Sequence, residues 1–171
     1  EKPLATTAED CRKIIDWDSK RDALTWMGLE YRFMPPVNEV ILRTKAGQVG
    51  KVHQVSIREH REPFYPKVGN WNRFSERTGG TLVEKCCHYF NLMDLIIGEQ
   101  PEKVYASGAQ NVNHLDEKYD GKQADMIDNA FVILDYPSGV RAMLDLCMFA
   151  EGSYDKEILT VVGDEGKLES F

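Results

Sequence analysis

Hydrophobic positions along the chain change period several times, and each change marks an element. Cys11, Ile14 and Ile15 recur at helical spacing behind Thr7-Ala8-Glu9-Asp10. Thr7 is a good cap there, with Asp10 as a short version of the capping-box acid, so a helix is expected to run from this point to about Lys20. Leu24 to Tyr31, with Leu, Trp, Met and Tyr, reads as a strand. Pro35-Pro36 ends it and opens a second helix through Val37, Val40 and Ile41, which stops at Gly47. Val52, Val55 and Ile57, set among polar residues up to about His60, give the alternation of a half-buried strand.

A stretch rich in proline and aromatic residues follows: Pro63, Phe64, Tyr65, Pro66, Trp71 and Phe74. A long loop of this kind inside a compact domain is often functional. Gly79-Gly80 then introduces a helix from about Thr81 to Ile97, closed by Gly98. Only strand patterns come after it. Lys103 to Ala109 is one; Asp128 to Tyr136 and Val140 to Phe149 flank the turn Pro137-Ser138-Gly139; Glu157 to Val162 and Lys167 to Phe171 flank Gly163-Asp164-Glu165-Gly166. Hairpin-linked strands after a helical first half predict an α+β fold, a mostly antiparallel open sheet with helices on one face.

Composition narrows the function classes. The chain has 171 residues, 42% hydrophobic and 29% charged, enough for one globular core. A net charge of −7 argues against a nucleic-acid partner, which needs a basic face. The longest apolar run, Leu92 to Ile97, is interrupted by Asp94, so no membrane span is expected. Glu1-Lys2-Pro3 has no signal-peptide core behind it, and without an initiator Met the chain reads as a fragment or processed product. Cys11, Cys86, Cys87 and Cys147 form no disulfide framework, and reduced thiols in a cytoplasmic protein are expected.

Glu84 and His88 stand four apart, which puts both on one face of the expected helix. An imidazole takes a proton near neutral pH, and a carboxylate beside it can fix its tautomer and support the cation. The same spacing serves equally for a surface ion pair or a satisfied core histidine. Cys86, Cys87 and His88 are adjacent, so on a helix they diverge by about 100° and cannot converge on one metal ion. Trp71, Asn72 and Arg73 combine an aromatic face with hydrogen-bonding groups, which suits a polyhydroxylated ligand and suits equally well a loop pinned to the sheet. No glycine-rich phosphate loop and no nucleophile elbow occur.

In order and spacing, several segments resemble the glucose–fructose oxidoreductase / inositol dehydrogenase (Gfo/Idh/MocA) family. They are Glu1-Lys2-Pro3-Leu4-Ala5, Tyr31-Arg32-Phe33-Met34-Pro35, Ala46-Gly47-Gln48-Val49-Gly50-Lys51-Val52, and Gly79-Gly80-Thr81-Leu82-Val83-Glu84 followed by His88. The resemblance implies an oxidoreductase that uses NAD or NADP on a sugar or polyol CH–OH. Residues 1–30 would be the end of a Rossmann cofactor domain, and 31–171 a C-terminally incomplete substrate-binding and oligomerisation domain. It gives Lys2 a place beside nicotinamide and substrate, with Glu1 and Pro3 in the same cofactor-side motif. It makes His88 the general base and Glu84 its supporting acid. Arg32, Trp71, Asn72, Arg73 and Asn91 are the expected substrate contacts. Two positions depart from the family pattern: its acid is commonly Asp where Glu84 stands, and Asp is common where Asn91 stands. The implied assembly is a homodimer or homotetramer through the sheet. An NAD-dependent glycoside hydrolase on the same scaffold and a non-catalytic sugar-binding relative are the alternatives.

Overall fold

The computed structural model describes residues 1–170. Its helices are α1 (Ala8–Asp18), α2 (Pro35–Lys45), α3 (Ser75–Thr78), α4 (Thr81–Glu84) and α5 (Cys87–Ile97). Its strands are β1 (Val52–His60), β2 (Lys103–Ala109), β3 (Lys118–Tyr119), β4 (Lys122–Gln123), β5 (Asn129–Asp135), β6 (Arg141–Cys147), β7 (Glu157–Gly163) and β8 (Lys167–Ser170). Six strands form one sheet in the order β2-β5-β6-β1-β7-β8, and β3 pairs with β4 apart from it. Only the β1–β6 contact in the large sheet is parallel. The expected α+β architecture is therefore the observed one, with β1 inserted between the two late hairpins. Of the last expected strand, Phe171 lies outside the described residues.

Alternation decides which face of the sheet is covered. Ala130, Val132 and Leu134 of β5, Ala142, Leu144 and Leu146 of β6, Val55 and Ile57 of β1, and Leu159 and Val161 of β7 are buried. They meet Val40 and Ile41 of α2 and Tyr89, Leu92, Met93 and Ile96 of α5 in one core. Side chains of the intervening positions face away from the helices, and among them Phe131 (60%), Ile133 (41%) and Met143 (40%) stay exposed. The Pro137-Ser138-Gly139 turn forms as expected: Gly139 has φ +85°, and Tyr136 N donates to Val140 O at 3.0 Å. At the other hairpin, a Cβ on Gly163 would lie 2.0 Å from the carbonyl oxygen of Val49, so only glycine fits that crossing.

Two expected elements differ. Leu24 to Tyr31 is not a strand; it is irregular until a 3₁₀ turn at Glu30–Phe33. Leu24 is 93% exposed and Trp26 75%, with no neighbouring strand to satisfy the backbone. Strand-forming side chains need such a partner before they make a strand. The expected helix from Thr81 to Ile97 is broken in two. Cys86 N reaches back to Thr81 O at 3.3 Å, a five-residue span, in place of the regular four. Such a wide turn interrupts the register and re-aims the side chains on either side of it.

Candidate active site

The break between α4 and α5 separates Glu84 from His88. The expectation that both project from one face of a continuous helix is corrected here: Glu84 ends α4, and His88 is the second residue of α5. Among the described residues no hydrogen bond or ion pair joins them. Glu84 is instead tied to the start of the chain. Lys2 Nζ donates to the Glu84 carbonyl oxygen, and lies 3.3 Å from Glu84 Oε1. In an unbroken helix that carbonyl would accept from the His88 N–H. Gly79 brings the N-terminal segment close: a Cβ there would meet the carbonyl oxygen of Thr6 at 2.9 Å.

His88 is 2% exposed and lies flat on Tyr31, with ring centroids 4.2 Å apart and planes 16° from parallel. Its Nε2 is 3.7 Å from Glu30 Oε1, and its Nδ1 is buried without a partner. Burial is the largest influence on this imidazole and holds its pKa below the ordinary value; Glu30 pulls it back up, while Lys2 and Lys85 act in the same direction as burial. Its place in the first turn of α5 adds to that, because the positive end of a helix disfavours a cation. A neutral imidazole with a free ring nitrogen is the form that accepts a proton.

Arg32 and Asn91 form a second pair. Arg32 Nη2 donates to Asn91 Oδ1, one helical turn beyond His88, and Arg32 Nε is buried without a partner. Glu84 Oε2 is in the same condition. Buried polar atoms without partners are uncommon, and a cluster of them marks a place where a ligand's polar groups can complete the set.

Trp71, Asn72 and Arg73 lie in a 3₁₀ segment, Val68–Arg73, away from this cluster in their contacts. Asn72 Nδ2 donates to the carbonyl oxygen of Tyr65 at 2.9 Å, and Arg73 Nε donates to Glu117 Oε2 at 3.0 Å. Both are buried, whereas Trp71 is 40% exposed. These contacts pin the loop, while Asn72 Oδ1 and Arg73 Nη1 stay buried without partners, so the triplet keeps both roles open to it in the sequence.

Sequence reasoning missed the groups beneath His88. Glu59, fully buried on β1, faces Glu157 across the β1–β7 pair, and Lys85 Nζ lies 3.1 Å from Glu59 Oε1 and 3.7 Å from Glu157 Oε1. Lys85 Nζ also donates to Tyr31 Oη at 2.7 Å, and Tyr31 Oη donates to Glu157 Oε1 at 3.1 Å. Tyr89 Oη donates to Glu59 Oε2, and Arg61 Nη1 is 3.4 Å from Glu59 Oε1. Burial pushes the Glu59 carboxyl up to about 7 despite the neighbouring ammonium. A signal was present: Glu59 occupies the inward slot that continues Val55 and Ile57.

Comparison with known proteins identifies the family. Residues 44–170 match the model of an oxidoreductase family, its C-terminal alpha/beta domain, known as GFO_IDH_MocA_C. The chain belongs to the Gfo/Idh/MocA oxidoreductase family. It is 30% identical over 168 residues to myo-inositol 2-dehydrogenase of Thermotoga maritima, covering 98% of this chain and 47% of that relative. It is 31% identical over 166 residues to inositol 2-dehydrogenase of Rhizobium meliloti, covering 97% of this chain and 47% of that relative. The chain thus spans about half the length of these curated relatives. A myo-inositol dehydrogenase from Lactobacillus casei, solved in complex with NAD(H) and myo-inositol, shares the fold at TM-score 0.76 and 16% identity, over 98% of this chain and 45% of that one. Among the described residues no helix is long and apolar enough to cross a membrane.

Proposed function

We propose that this chain is the substrate side of an NAD- or NADP-dependent dehydrogenase acting on a CH–OH group of a sugar or an inositol-like polyol. The observation that carries the reading is the Lys2–Glu84 pair just before the helix break that His88 follows, with Glu84 Oε2 and His88 Nδ1 buried and unpartnered. A polyol offers several hydroxyls to such atoms. Residues 1–30 form the end of the cofactor-binding domain in this reading, and residues from 31 onward the substrate domain.

The residues present fit the reacting end of a nicotinamide cofactor and no more. Lys2, with Glu1 and Pro3 beside it, would border the nicotinamide; the chain has no glycine-rich turn for the pyrophosphate. When bound, nicotinamide supplies the acceptor for a hydride from the substrate carbon. His88, kept neutral by burial, takes the hydroxyl proton. Lys2, a cation with its charge partly satisfied by Glu84, stabilises the negative charge that develops on the substrate oxygen. Arg32 and Asn91 bind neighbouring hydroxyls, and Glu84 acts on His88 only through Lys2 and the substrate. Trp71, Asn72 and Arg73 bind the substrate from their own loop, Trp71 through its exposed ring and the other two through Asn72 Oδ1 and Arg73 Nη1, which are buried without partners.

The exposed apolar side chains of the uncovered sheet face, Phe131, Ile133 and Met143, suit pairing with a second copy, as a homodimer or within a homotetramer. Unpaired thiols at Cys11, Cys86, Cys87 and Cys147 suit the cytoplasm. The test is a sugar and polyol panel with NAD and NADP on the full-length protein, beside its His88→Ala variant. That variant is expected to lose turnover by roughly 10²–10⁴-fold with cofactor affinity nearly unchanged. Wild-type turnover in the variant, or no turnover of any polyol by the parent protein, rules the reading out.

A further inference from the structure

A buried lysine is costly unless charged partners surround it. Lys85 has two carboxylates within 3.7 Å, and it also spends a hydrogen bond on Tyr31. Its Nζ stands 5.0 Å from the Tyr31 ring centroid. The opposite face of the matter is the Tyr31 ring itself, which is the surface on which His88 is stacked. His88 makes no hydrogen bond through Nδ1, and its nearest Nε2 neighbour, Glu30, is 63% exposed in its side chain. Nothing polar therefore fixes the plane of the imidazole. The aromatic contact does, and the hydroxyl of that aromatic ring is held at both ends, by Lys85 and by Glu157.

We infer that Tyr31 and Lys85 are positioning residues for His88: the Tyr31 ring sets the plane of the imidazole, and Lys85, seated on Glu59, locks the Tyr31 ring in place. The inference rests on the proposed role of His88 and adds two residues to it. Stacking leaves Nδ1 without a partner in the protein, which an orienting carboxylate hydrogen-bonded there would not. It also explains why the acid four residues earlier can be given over to Lys2. The groups facing His88 are Glu30 and Tyr31 from the 3₁₀ turn, Lys2 from the chain start, Lys85 from the α4–α5 break and Glu157 from β7. Of these, the two lysines disfavour the imidazolium and the two carboxylates favour it.

Four variants of the full-length protein test this: Tyr31→Phe, Tyr31→Leu, Lys85→Met, and Lys85→Met with Glu59→Gln, which avoids stranding a buried charge. Tyr31→Leu should lower kcat by roughly tenfold or more with a smaller change in KM, and Tyr31→Phe, which keeps the stacked ring, should recover most of it. The paired Lys85→Met/Glu59→Gln variant should raise the His88 titration midpoint, read by NMR of ring-labelled histidine assigned with His88→Gln, by about half a pH unit. The acid limb of kcat/KM should move up with it. A role in folding alone would move neither the midpoint nor the acid limb. Equal kcat in Tyr31→Leu and Tyr31→Phe, or an unmoved His88 midpoint in the paired variant, overturns the inference. The NMR midpoint is read without turnover, so it stands apart from the test of the dehydrogenase reading, which His88→Ala decides.

Discussion

The two ends of strand β1 face the same core and are built on opposite principles. At Val55 and Ile57 the inward slots pair with Val161 and Leu159 on one side and Ala142 and Leu144 on the other, all buried and all apolar. One step further, the inward slot holds Glu59, opposite Glu157, with Lys85 arriving from the α4–α5 break. Two carboxylates facing each other across a strand pair repel, and the lysine between them is what makes the arrangement tenable. The apolar end is stable by area and shape. The charged end is stable only as a complete set. His88 and its stacked Tyr31 sit over the second kind, which is where a fold departs from its own local rules to hold a site.

Breaking the set should cost most. Lys85→Met alone leaves Glu59 and Glu157 without their shared cation, and a loss of roughly 3–5 kcal/mol is expected in denaturant unfolding well above the Glu59 midpoint of about 7, where both carboxyls are ionised. Lys85→Met combined with Glu59→Gln should recover a large part of that loss, because the buried charge leaves with its partner. Losses that simply add would mean that the two residues act independently.

The apolar end should respond without any such rescue. Leu144 is fully buried in mid-sheet, and Leu144→Ala should cost about 2–5 kcal/mol, depending on how far the cavity collapses. No second substitution nearby should restore it except one that refills the volume. A recovery on the scale of the lysine–glutamate pair would erase the contrast between the two ends.

The two ends also differ in how they respond to pH. Burial pushes the Glu59 carboxyl in the folded chain up to about 7, above the ordinary carboxylate value near 4.5. A raised carboxyl contributes stability that is fully present below about pH 4.5 and is lost as pH rises through about 7. This contribution is on the order of 3 kcal/mol, with the attraction of Lys85 already included in the shift. Glu59→Gln should flatten the stability profile in that window, whereas Leu144→Ala should lower it evenly. Equal slopes in wild type and Glu59→Gln would show that Glu59 is not the group responsible.

The apolar end was legible in the sequence because period-two alternation and hairpin turns carry it: Val55 and Ile57, then the strands about Pro137-Ser138-Gly139. The charged end was legible only as an anomaly. Glu59 in an inward slot gives no hint that Lys85 is its partner, since they are brought together by the break after Glu84. That break has no proline and no glycine to announce it; a continuous helix was the natural reading of Thr81 to Ile97. The false strand at Leu24 to Tyr31 has a related cause. Its apolar side chains are real, yet pairing depends on neighbours that local sequence does not specify. Lys2, Glu84 and His88 came from family resemblance, and the geometry changed the pairing among them: the acid is joined to Lys2, and the imidazole to Tyr31.

The smallest predicted effect separates burial from distance. Glu39 and Arg43 on α2 form an ion pair at 2.7 Å, closer than Lys85 and Glu59 at 3.1 Å. If contact distance set the energy, the α2 pair would matter more. Its side chains are 55% and 50% exposed, however, so water screens the attraction and the pair gives up side-chain entropy to form. Glu39→Gln should therefore change stability by less than about 0.5 kcal/mol, with even that fading in high salt. Lys85 and Glu59 have no such screening, and their coupling should persist in the same salt titration. A Glu39→Gln loss comparable to that of Lys85→Met would mean that the charged end of β1 owes nothing special to its burial, and the difference between the two ends would reduce to composition.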